Sequence, residues 1–140
     1  MTATNKSQAA RLRDCGVNVD TADMCRTGSW LRAHPYVGVI TQVIGDSLML
    51  GKTFSEEDFD LVPAWSLEML LTKVLPKRVT HDGTDFDLVL QSRTDKGDWC
   101  QWELAYYDEV GEIYLANVEA DDPIEACVRM MEKLKEKGLV

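Results

Sequence analysis

The feature that most constrains the fold lies in the last third of the chain, where a well-marked helix start follows three strand-like runs. The segment from Phe86 to Val118 is interrupted at Arg93 to Asp98 and at Asp108 to Gly111, two segments rich in turn-forming residues. The sequence Asp122-Pro123-Ile124-Glu125 then supplies an N-cap residue, a proline at the first helical position and an acidic residue at N3. This pattern predicts a three-stranded antiparallel β-meander followed by a helix.

The final helix is predicted to be apolar on one side. Its apolar residues recur at steps of three and four, and Gly138 is a natural C-terminal stop. These residues are Ile124, Cys127, Val128, Met131 and Leu134. We expect them to cover an apolar sheet face that contains Leu88, Trp102, Leu104 and Leu115, because side chains two residues apart share a face of a strand.

The second hairpin of the meander has a register that can be predicted. If Asp108 to Gly111 forms a four-residue loop, Tyr107 pairs with Glu112 and Leu104 with Leu115. The apolar face then contains Trp102, Leu104, Tyr106, Ile113 and Leu115. Tyr107 and Tyr114 lie on the opposite face, among polar residues such as Glu103 and Glu112.

A second helix is predicted in the middle of the chain. Ser66 is a suitable N-cap, and Pro76 ends an apolar stripe that consists of Leu67, Leu70, Leu71, Val74 and Leu75. Trp65 precedes the cap and can pack against the first turn of the helix. The alternative for Trp65 is that it stacks on a ligand.

The N-terminal half gives weaker signals. Ser7 to Cys15 is predicted to form a short helix that Gly16 ends, and Asp20 to Met24 resembles a capped turn. Tyr36 to Ile44 and Ser47 to Leu50 flank Gly45-Asp46, a sequence typical of a hairpin turn. The acidic segment Ser55 to Asp60 is interpreted as a solvated loop, with a divalent-cation site as the alternative.

Length and charge limit the possible classes of protein. A chain of 140 residues fits a single α+β domain with a core of its own. The net charge of −9 argues against binding to nucleic acid, which requires clustered Lys and Arg. The sequence has no apolar run of the ~20 residues that a membrane span needs. We therefore expect a cytoplasmic protein whose acidic surface either serves solubility or binds a basic partner as a decoy.

The four cysteines and two histidines do not form a recognisable metal or redox motif. Cys15, Cys25, Cys100 and Cys127 are far apart in the sequence, and we interpret them as reduced, mostly buried residues. His34 and His81 lie in loop-like contexts, so a metal site would require them to converge in the fold. We predict no catalytic residues, no metal and no cofactor.

Several blocks of the sequence carry a resemblance to known proteins. Gln8-Ala9-Ala10-Arg11-Leu12, Thr21-Ala22-Asp23-Met24, Val62-Pro63-Ala64-Trp65-Ser66-Leu67 and Asp122-Pro123-Ile124-Glu125-Ala126-Cys127 together resemble a group of small uncharacterised proteins of bacterial genomes and their prophages. The segment Arg26 to Leu61 has no counterpart in this resemblance. The resemblance implies a mobile-element origin and a cytoplasmic setting, but neither an activity nor site residues.

The function that these observations favour is a non-enzymatic interaction or structural protein. Trp99, Tyr107 and Tyr114 are the predicted interface residues, because exposed aromatic side chains are enriched at interfaces. Either a protein partner or a second copy of the chain could bind there, unless the N-terminal elements cover that face. The alternative is a small enzyme of unidentified reaction, for which the chain offers few catalytic bases.

Overall fold

The computed structural model describes residues 2–28, 30–51, 60–93 and 101–140. The chain divides into two units, Met1–Met69 and Leu70–Val140. Helices and two antiparallel sheets give the α+β class that the sequence predicts. The expectation of a single domain remains a prediction.

The first unit combines short helices with a three-stranded sheet. Its helices are α1 (Lys6–Asp14), a 3₁₀ turn (Val19–Thr21), α2 (Tyr36–Met49) and α3 (Leu67–Met69). Its strands are β1 (Met24–Thr27), β2 (Trp30–Arg32) and β3 (Leu61–Ala64), in the spatial order β2-β1-β3 with antiparallel pairing throughout. The sequence analysis predicted none of these three strands.

Helix α1 confirms the predicted N-terminal helix to within one residue at each end. Asn5 and Gln8 form a reciprocal capping box, in which the Asn5 side chain accepts from the Gln8 N–H at 2.8 Å and the Gln8 side chain accepts from the Asn5 N–H at 2.9 Å. Gly16 follows the last turn with φ +85°, a conformation that glycine adopts without strain. Its role as the stop residue is therefore also confirmed.

The predicted hairpin around Gly45-Asp46 is wrong, because Tyr36 to Met49 forms the continuous helix α2. Tyr36, Val39 and Ser47 are all buried, at spacings that place them on one side of a helix. Burial of this stripe outweighs the β-propensity of Val39 and Ile40 and the ~1 kcal/mol that a glycine costs inside a helix. The hairpin of the N-terminal half lies earlier in the chain, between β1 and β2.

Trp65 is the centre of the first unit and is completely buried. Its indole N–H donates to the Thr21 hydroxyl at 2.9 Å, and its backbone N–H donates to the buried Thr4 hydroxyl at 3.0 Å. The Arg26 guanidinium donates to the Thr4 carbonyl at 2.7 Å, which ties the N-terminal segment to β1. The ring is therefore a core residue and not a stacking platform. Ser66 caps the following helix as predicted, since its hydroxyl accepts from the Met69 N–H at 3.2 Å.

The second unit is a four-stranded antiparallel sheet with one long helix. It begins with a π-helical turn (Leu70–Val74) and continues with β4 (Arg78–His81), β5 (Thr84–Arg93), β6 (Gln101–Asp108), β7 (Ile113–Ala120) and α4 (Pro123–Glu136). The strands are hydrogen-bonded in the order β4-β5-β6-β7. The predicted three-stranded meander is thus confirmed as β5, β6 and β7.

Strand β4 was missed by the sequence analysis, which placed His81 in a loop. The turn between β4 and β5 consists of Asp82 and Gly83, both with positive φ, of +50° and +78°. Asp-Gly at the two central positions is typical of a two-residue hairpin turn whose residues both need positive φ. That dipeptide was the signal that could have located this strand.

The predicted register of the β6–β7 hairpin is also wrong. Asp108 remains in the ladder opposite Ile113, and the pairing shifts between Tyr106 and Tyr107. Tyr107 consequently faces Tyr114, while Tyr106 faces Ala116, which leaves Leu115 as an extra residue in a β-bulge. The apolar face is therefore completed by Ala116, Val118 and Ala120, whereas Ile113 is 55% exposed.

Helix α4 has the predicted bounds and the predicted buried side. The Asp122 side chain accepts from the Ile124 N–H at 2.6 Å as an N-cap, and Gly138 has φ +70° beyond the last turn. All five predicted apolar residues of α4 are buried, and the helix packs against β6 and β7. On the sheet, Leu104 and Tyr106 are fully buried, and the Tyr106 hydroxyl donates to the Pro76 carbonyl at 2.6 Å.

Helix α4 also hydrogen-bonds to the main chain of β7, the last strand of the described sheet. Arg129 donates to the Glu119 carbonyl at 2.7 Å, and Lys133 donates to the Asn117 carbonyl at 3.0 Å. These two carbonyls are thereby occupied by side chains of the same unit. Main-chain groups along an edge strand otherwise invite pairing with another chain.

Candidate interaction surface

The two predicted interface tyrosines meet on the side of the sheet opposite α4. Side chains alternate along a strand, so Tyr107 points away from the face on which its neighbour Tyr106 is buried. The rings of Tyr107 and Tyr114 lie 4.7 Å apart between centroids and are tilted by 40°. Tyr114 is 52% exposed and Tyr107 is half-buried. The third predicted residue, Trp99, lies outside the described residues.

The β-bulge brings these rings together. With the register predicted from sequence, Tyr107 would face Glu112, and Tyr114 would lie further along the sheet. In the structure the extra residue Leu115 shifts β7, so that Tyr114 lies directly opposite Tyr107. Directly opposed aromatic residues stabilise an antiparallel pair by roughly 0.2–1 kcal/mol. The tyrosine pair is therefore both a surface feature and part of the hairpin's own stability.

The loop that follows Tyr107 is held by Asp108. Its carboxylate accepts from the Val110 N–H at 3.2 Å and from the Gly111 N–H at 3.1 Å. This is the usual way in which an Asp side chain organises a turn. It also explains why Asp108 belongs to the ladder and the loop begins one residue later than predicted.

The tip of the hairpin exposes apolar side chains beside carboxylates. Val110 is 97% exposed and Ile113 is 55% exposed, while Glu109 and Glu112 are exposed on the same loop. We call this surface the hairpin patch; it consists of Tyr107, Glu109, Val110, Glu112 and Tyr114. Asp108 and Ile113 lie at its edge, because the side chains of this pair point to the α4 side of the sheet. Sequence reasoning found the tyrosines of the patch but missed Val110 and the exposure of Ile113, because the predicted register buried Ile113.

The charges around the tyrosine pair are negative. Partial desolvation, followed by the carboxylates of Glu112, Glu109 and Asp108, raises the pKa of Tyr107 above its ordinary value. The phenol is therefore neutral at pH 7. Loss of its proton would add a negative charge to a site that already carries three.

An ion pair extends the patch across the sheet. Asp87 lies opposite Tyr107 on β5, and Arg78 lies opposite Asp87 on β4. The Arg78 Nε lies 2.8 Å from a carboxylate oxygen of Asp87, and its Nη1 lies 3.8 Å from Asp85. Arg78 is thus already engaged by two carboxylates of its own sheet, so it adds no excess positive charge to this face.

Further from the hairpin loop, the part of this face on β6 is buried. Glu103 and Ala105 are almost fully buried, and the Gln91 side chain donates to the Glu103 carboxylate at 2.9 Å. On the neighbouring strand β5, Val89 lies opposite Ala105 and is 40% exposed. The exposed aromatic ring of this face, Tyr114, lies at its hairpin end.

Two of the cysteines in the described ranges are buried and poorly reactive. Cys25 and Cys127 are buried, and burial raises the pKa of both thiols, to about 12 for Cys127. A thiol of this kind is a poor nucleophile because the reactive form is the thiolate. His81 is about half exposed, 3.4 Å from Asp82. Among the described residues, no group of three or more His, Cys, Asp or Glu could hold a metal ion.

Three surface depressions lie among the described residues of the second unit. One of about 220 Å³ is lined by His81, Leu115, Lys137 and Leu139, a second of about 220 Å³ by Gln101, Glu119, Ala120, Asp121 and Arg129, and a third of about 310 Å³ by Leu71, Lys77, Leu88 and Leu90. Ligand pockets usually measure about 300–1,000 Å³ and enclose most of the ligand. None of these three depressions combines a histidine with a cysteine or a carboxylate. Cys100 and the acidic residues 56–58 lie outside the described residues.

A comparison of the chain with protein-family models, curated proteins and solved structures finds no match. Within the described ranges, no helix is long and apolar enough to cross a membrane.

Proposed function

We propose that this chain is a non-enzymatic interaction protein that binds a protein partner through the hairpin patch. The observation that carries the proposal is the contact between the half-buried Tyr107 and the exposed Tyr114 on the β6–β7 hairpin, with the exposed side chain of Val110 in the adjoining loop. Tyrosine supplies a large contact area at a low entropic cost, and aromatic residues are enriched among those that dominate binding energy. The β-bulge and the Asp108 turn position both rings before a partner arrives.

The partner in this proposal is either a second copy of the chain or a different protein. A two-fold contact would place the same patch against itself. The resemblance of the sequence blocks to bacterial and prophage proteins supports a mobile element as the biological setting of this interaction. The small-enzyme alternative has less support, because none of the three depressions described above combines a histidine with a cysteine or a carboxylate.

The proposal is tested by removing the aromatic pair without disturbing the fold. The variant Tyr107→Ser with Tyr114→Ser is compared with wild type and with Trp30→Ser, which removes an aromatic ring that is 77% exposed in the other unit. Each protein is immobilised and exposed to lysate of the source cells, and each is also examined by sedimentation velocity. We expect the amount of retained partner, or the amount of self-associated species, to be more than about ten-fold lower for the double variant than for wild type.

Two results would contradict the proposal. The first is retention or self-association that is the same in all three proteins. The second is loss in Trp30→Ser but not in the tyrosine variant. Thermal unfolding of each protein provides the control for folding. The tyrosine variant loses the cross-strand pair, which contributes roughly 0.2–1 kcal/mol, so binding is compared well below its unfolding temperature.

A further inference from the structure

The hairpin patch belongs to a stretch of chain with an extreme charge bias. The segment 101–122 contains no Lys or Arg, and its acidic residues are Glu103, Asp108, Glu109, Glu112, Glu119, Asp121 and Asp122. Three of these carboxylates, Asp108, Glu109 and Glu112, lie at the loop of the hairpin, next to exposed apolar and aromatic side chains. Surfaces of opposite charge attract during encounter and fix the register of a complex, so this bias carries information about the partner.

We infer that the segment recognised by the hairpin patch is a basic peptide, in which arginine side chains alternate with apolar ones. The inference rests on the proposed function and specifies the chemistry of the partner. Arginine can stack on the exposed ring of Tyr114 while its guanidinium donates to a carboxylate of the loop. An apolar residue of the peptide would cover Val110, which is 97% exposed on the loop that carries those carboxylates.

The geometry of the tyrosine pair suits this contact. The rings are tilted by 40° at a centroid distance of 4.7 Å, so each supports the other and one face of Tyr114 remains accessible. A cation over a tyrosine face is attracted by the negative potential of the ring within about 6 Å of the centroid. The carboxylates of Glu109 and Glu112 are close enough to Tyr107 to raise the pKa of its phenol. Ring and carboxylate therefore act on the same incoming charge.

The same charges disfavour a second copy of the chain as the occupant. A two-fold contact through the patch would bring Glu109 and Glu112 of one copy toward the same residues of the other. Like charges that meet at an interface oppose association. Arg78, which lies on β4 of the same sheet, already pairs with Asp87 and Asp85 and adds no excess positive charge that would relieve this repulsion. A basic partner has no such conflict.

The direct test is titration with synthetic peptides of defined charge. One soluble peptide alternates arginine with valine, a second carries glutamate in place of arginine, and a third carries glycine in place of valine. Binding is measured by isothermal titration and by the ring resonances of Tyr107 and Tyr114 in protein labelled at tyrosine. We expect the arginine–valine peptide to bind and shift both rings, the glycine peptide to bind more weakly, and the glutamate peptide not to bind.

Matched variants assign the binding to the patch. Glu112→Gln and Asp121→Asn each remove one exposed carboxylate, but the two positions flank opposite ends of β7, roughly 25 Å apart along an eight-residue strand. We expect Glu112→Gln to lower the affinity for the arginine–valine peptide about two- to five-fold and Asp121→Asn to change this affinity less than about 1.5-fold. The double tyrosine variant should lower the affinity about ten-fold. Raising the salt concentration from about 0.02 M to 0.15 M should lower the affinity of the wild type several-fold.

The inference is overturned if the arginine and glutamate peptides bind equally or if neither shifts the tyrosine rings. It is also overturned if Asp121→Asn weakens binding as much as Glu112→Gln, since the attraction would then reflect net charge alone. Failure here is distinct from failure of the proposed function. If a partner is captured through the tyrosines but no basic peptide binds, the proposed function is retained and only the basic chemistry of the partner is contradicted.

Discussion

The two units of this chain are organised by different forces. In the second unit an amphipathic helix covers one face of a sheet, and the buried contacts are mainly apolar. In the first unit a buried tryptophan donates hydrogen bonds to hydroxyl groups far away in sequence, 61 residues for Thr4 and 44 for Thr21. An apolar layer depends on area, whereas a buried polar network depends on every one of its partners. Different kinds of substitution should therefore destabilise the two units.

The largest expected effect tests the apolar layer. Leu104→Ala removes a fully buried side chain between the sheet and α4, and we expect a loss of ~2–5 kcal/mol in the free energy of unfolding. Val89→Ala, on the open face of the adjacent strand, is the control and should cost less than about 1 kcal/mol. Urea titrations followed by circular dichroism measure both. Equal losses at the two positions would show that α4 does not define the core of this unit.

A smaller effect tests the polar network of the first unit. Thr4→Val keeps the shape of the side chain but leaves the buried Trp65 N–H without its acceptor, so the free energy of unfolding should fall by ~1–3 kcal/mol. Thr41→Val removes an exposed hydroxyl that bonds within α2, and we expect little change. The comparison of the two units would be wrong if both threonine variants were equally stable in urea.

The remaining effect concerns pH, is absent near neutrality and belongs to the apolar layer. Burial raises the pKa of the Cys127 thiol to about 12, so the thiol ionises in the unfolded chain well before it does in the folded one. The unfolded state then binds fewer protons, and this contribution is present below about pH 9 and falls as pH rises toward 12. For this group alone the slope approaches about 1.4 kcal/mol per pH unit.

Cys127→Ala removes that contribution. The free energy of unfolding of this variant, measured by urea titration between about pH 8 and 11, should depend less on pH than that of wild type. Val128→Ala, which changes a neighbouring buried side chain that does not titrate, should lower the free energy of unfolding and leave its dependence on pH unchanged. An unchanged slope in Cys127→Ala would show that the thiol is accessible to water in the folded protein.

Prediction from sequence succeeded where contacts repeat along the chain. Helix α4 has periodic apolar residues and a complete set of end signals, from Asp122 to Gly138, so its bounds and buried side were both predictable. The prediction was wrong for helix α2, because Gly45-Asp46 and the β-branched residues of this segment favour a hairpin locally. Only the burial of Tyr36, Val39 and Ser47 against the rest of the unit makes the helical alternative more stable.

In the candidate site, too, some features could be predicted from the sequence and others could not. Alternation along β6 was enough to predict that Tyr107 lies opposite the buried face, and Tyr114 was assigned to the same side. Their direct contact was not predictable, because it depends on a one-residue bulge at Leu115. Neither the exposure of Ile113 nor the pairing of Arg78 with Asp87 could be inferred without the register and the additional strand β4.

The sequence by itself determined the α+β class, the meander and the covering helix, since these follow from apolar periodicity and from capping residues that act within a few positions of one another. Tertiary structure alone decided the register at the bulge, the helical state of α2 and the burial of Trp65 among distant hydroxyl groups. Each of these depends on a balance of about 1–3 kcal/mol between local preference and burial or a distant hydrogen bond. The local sequence determines the local preference but not the burial or the distant hydrogen bond.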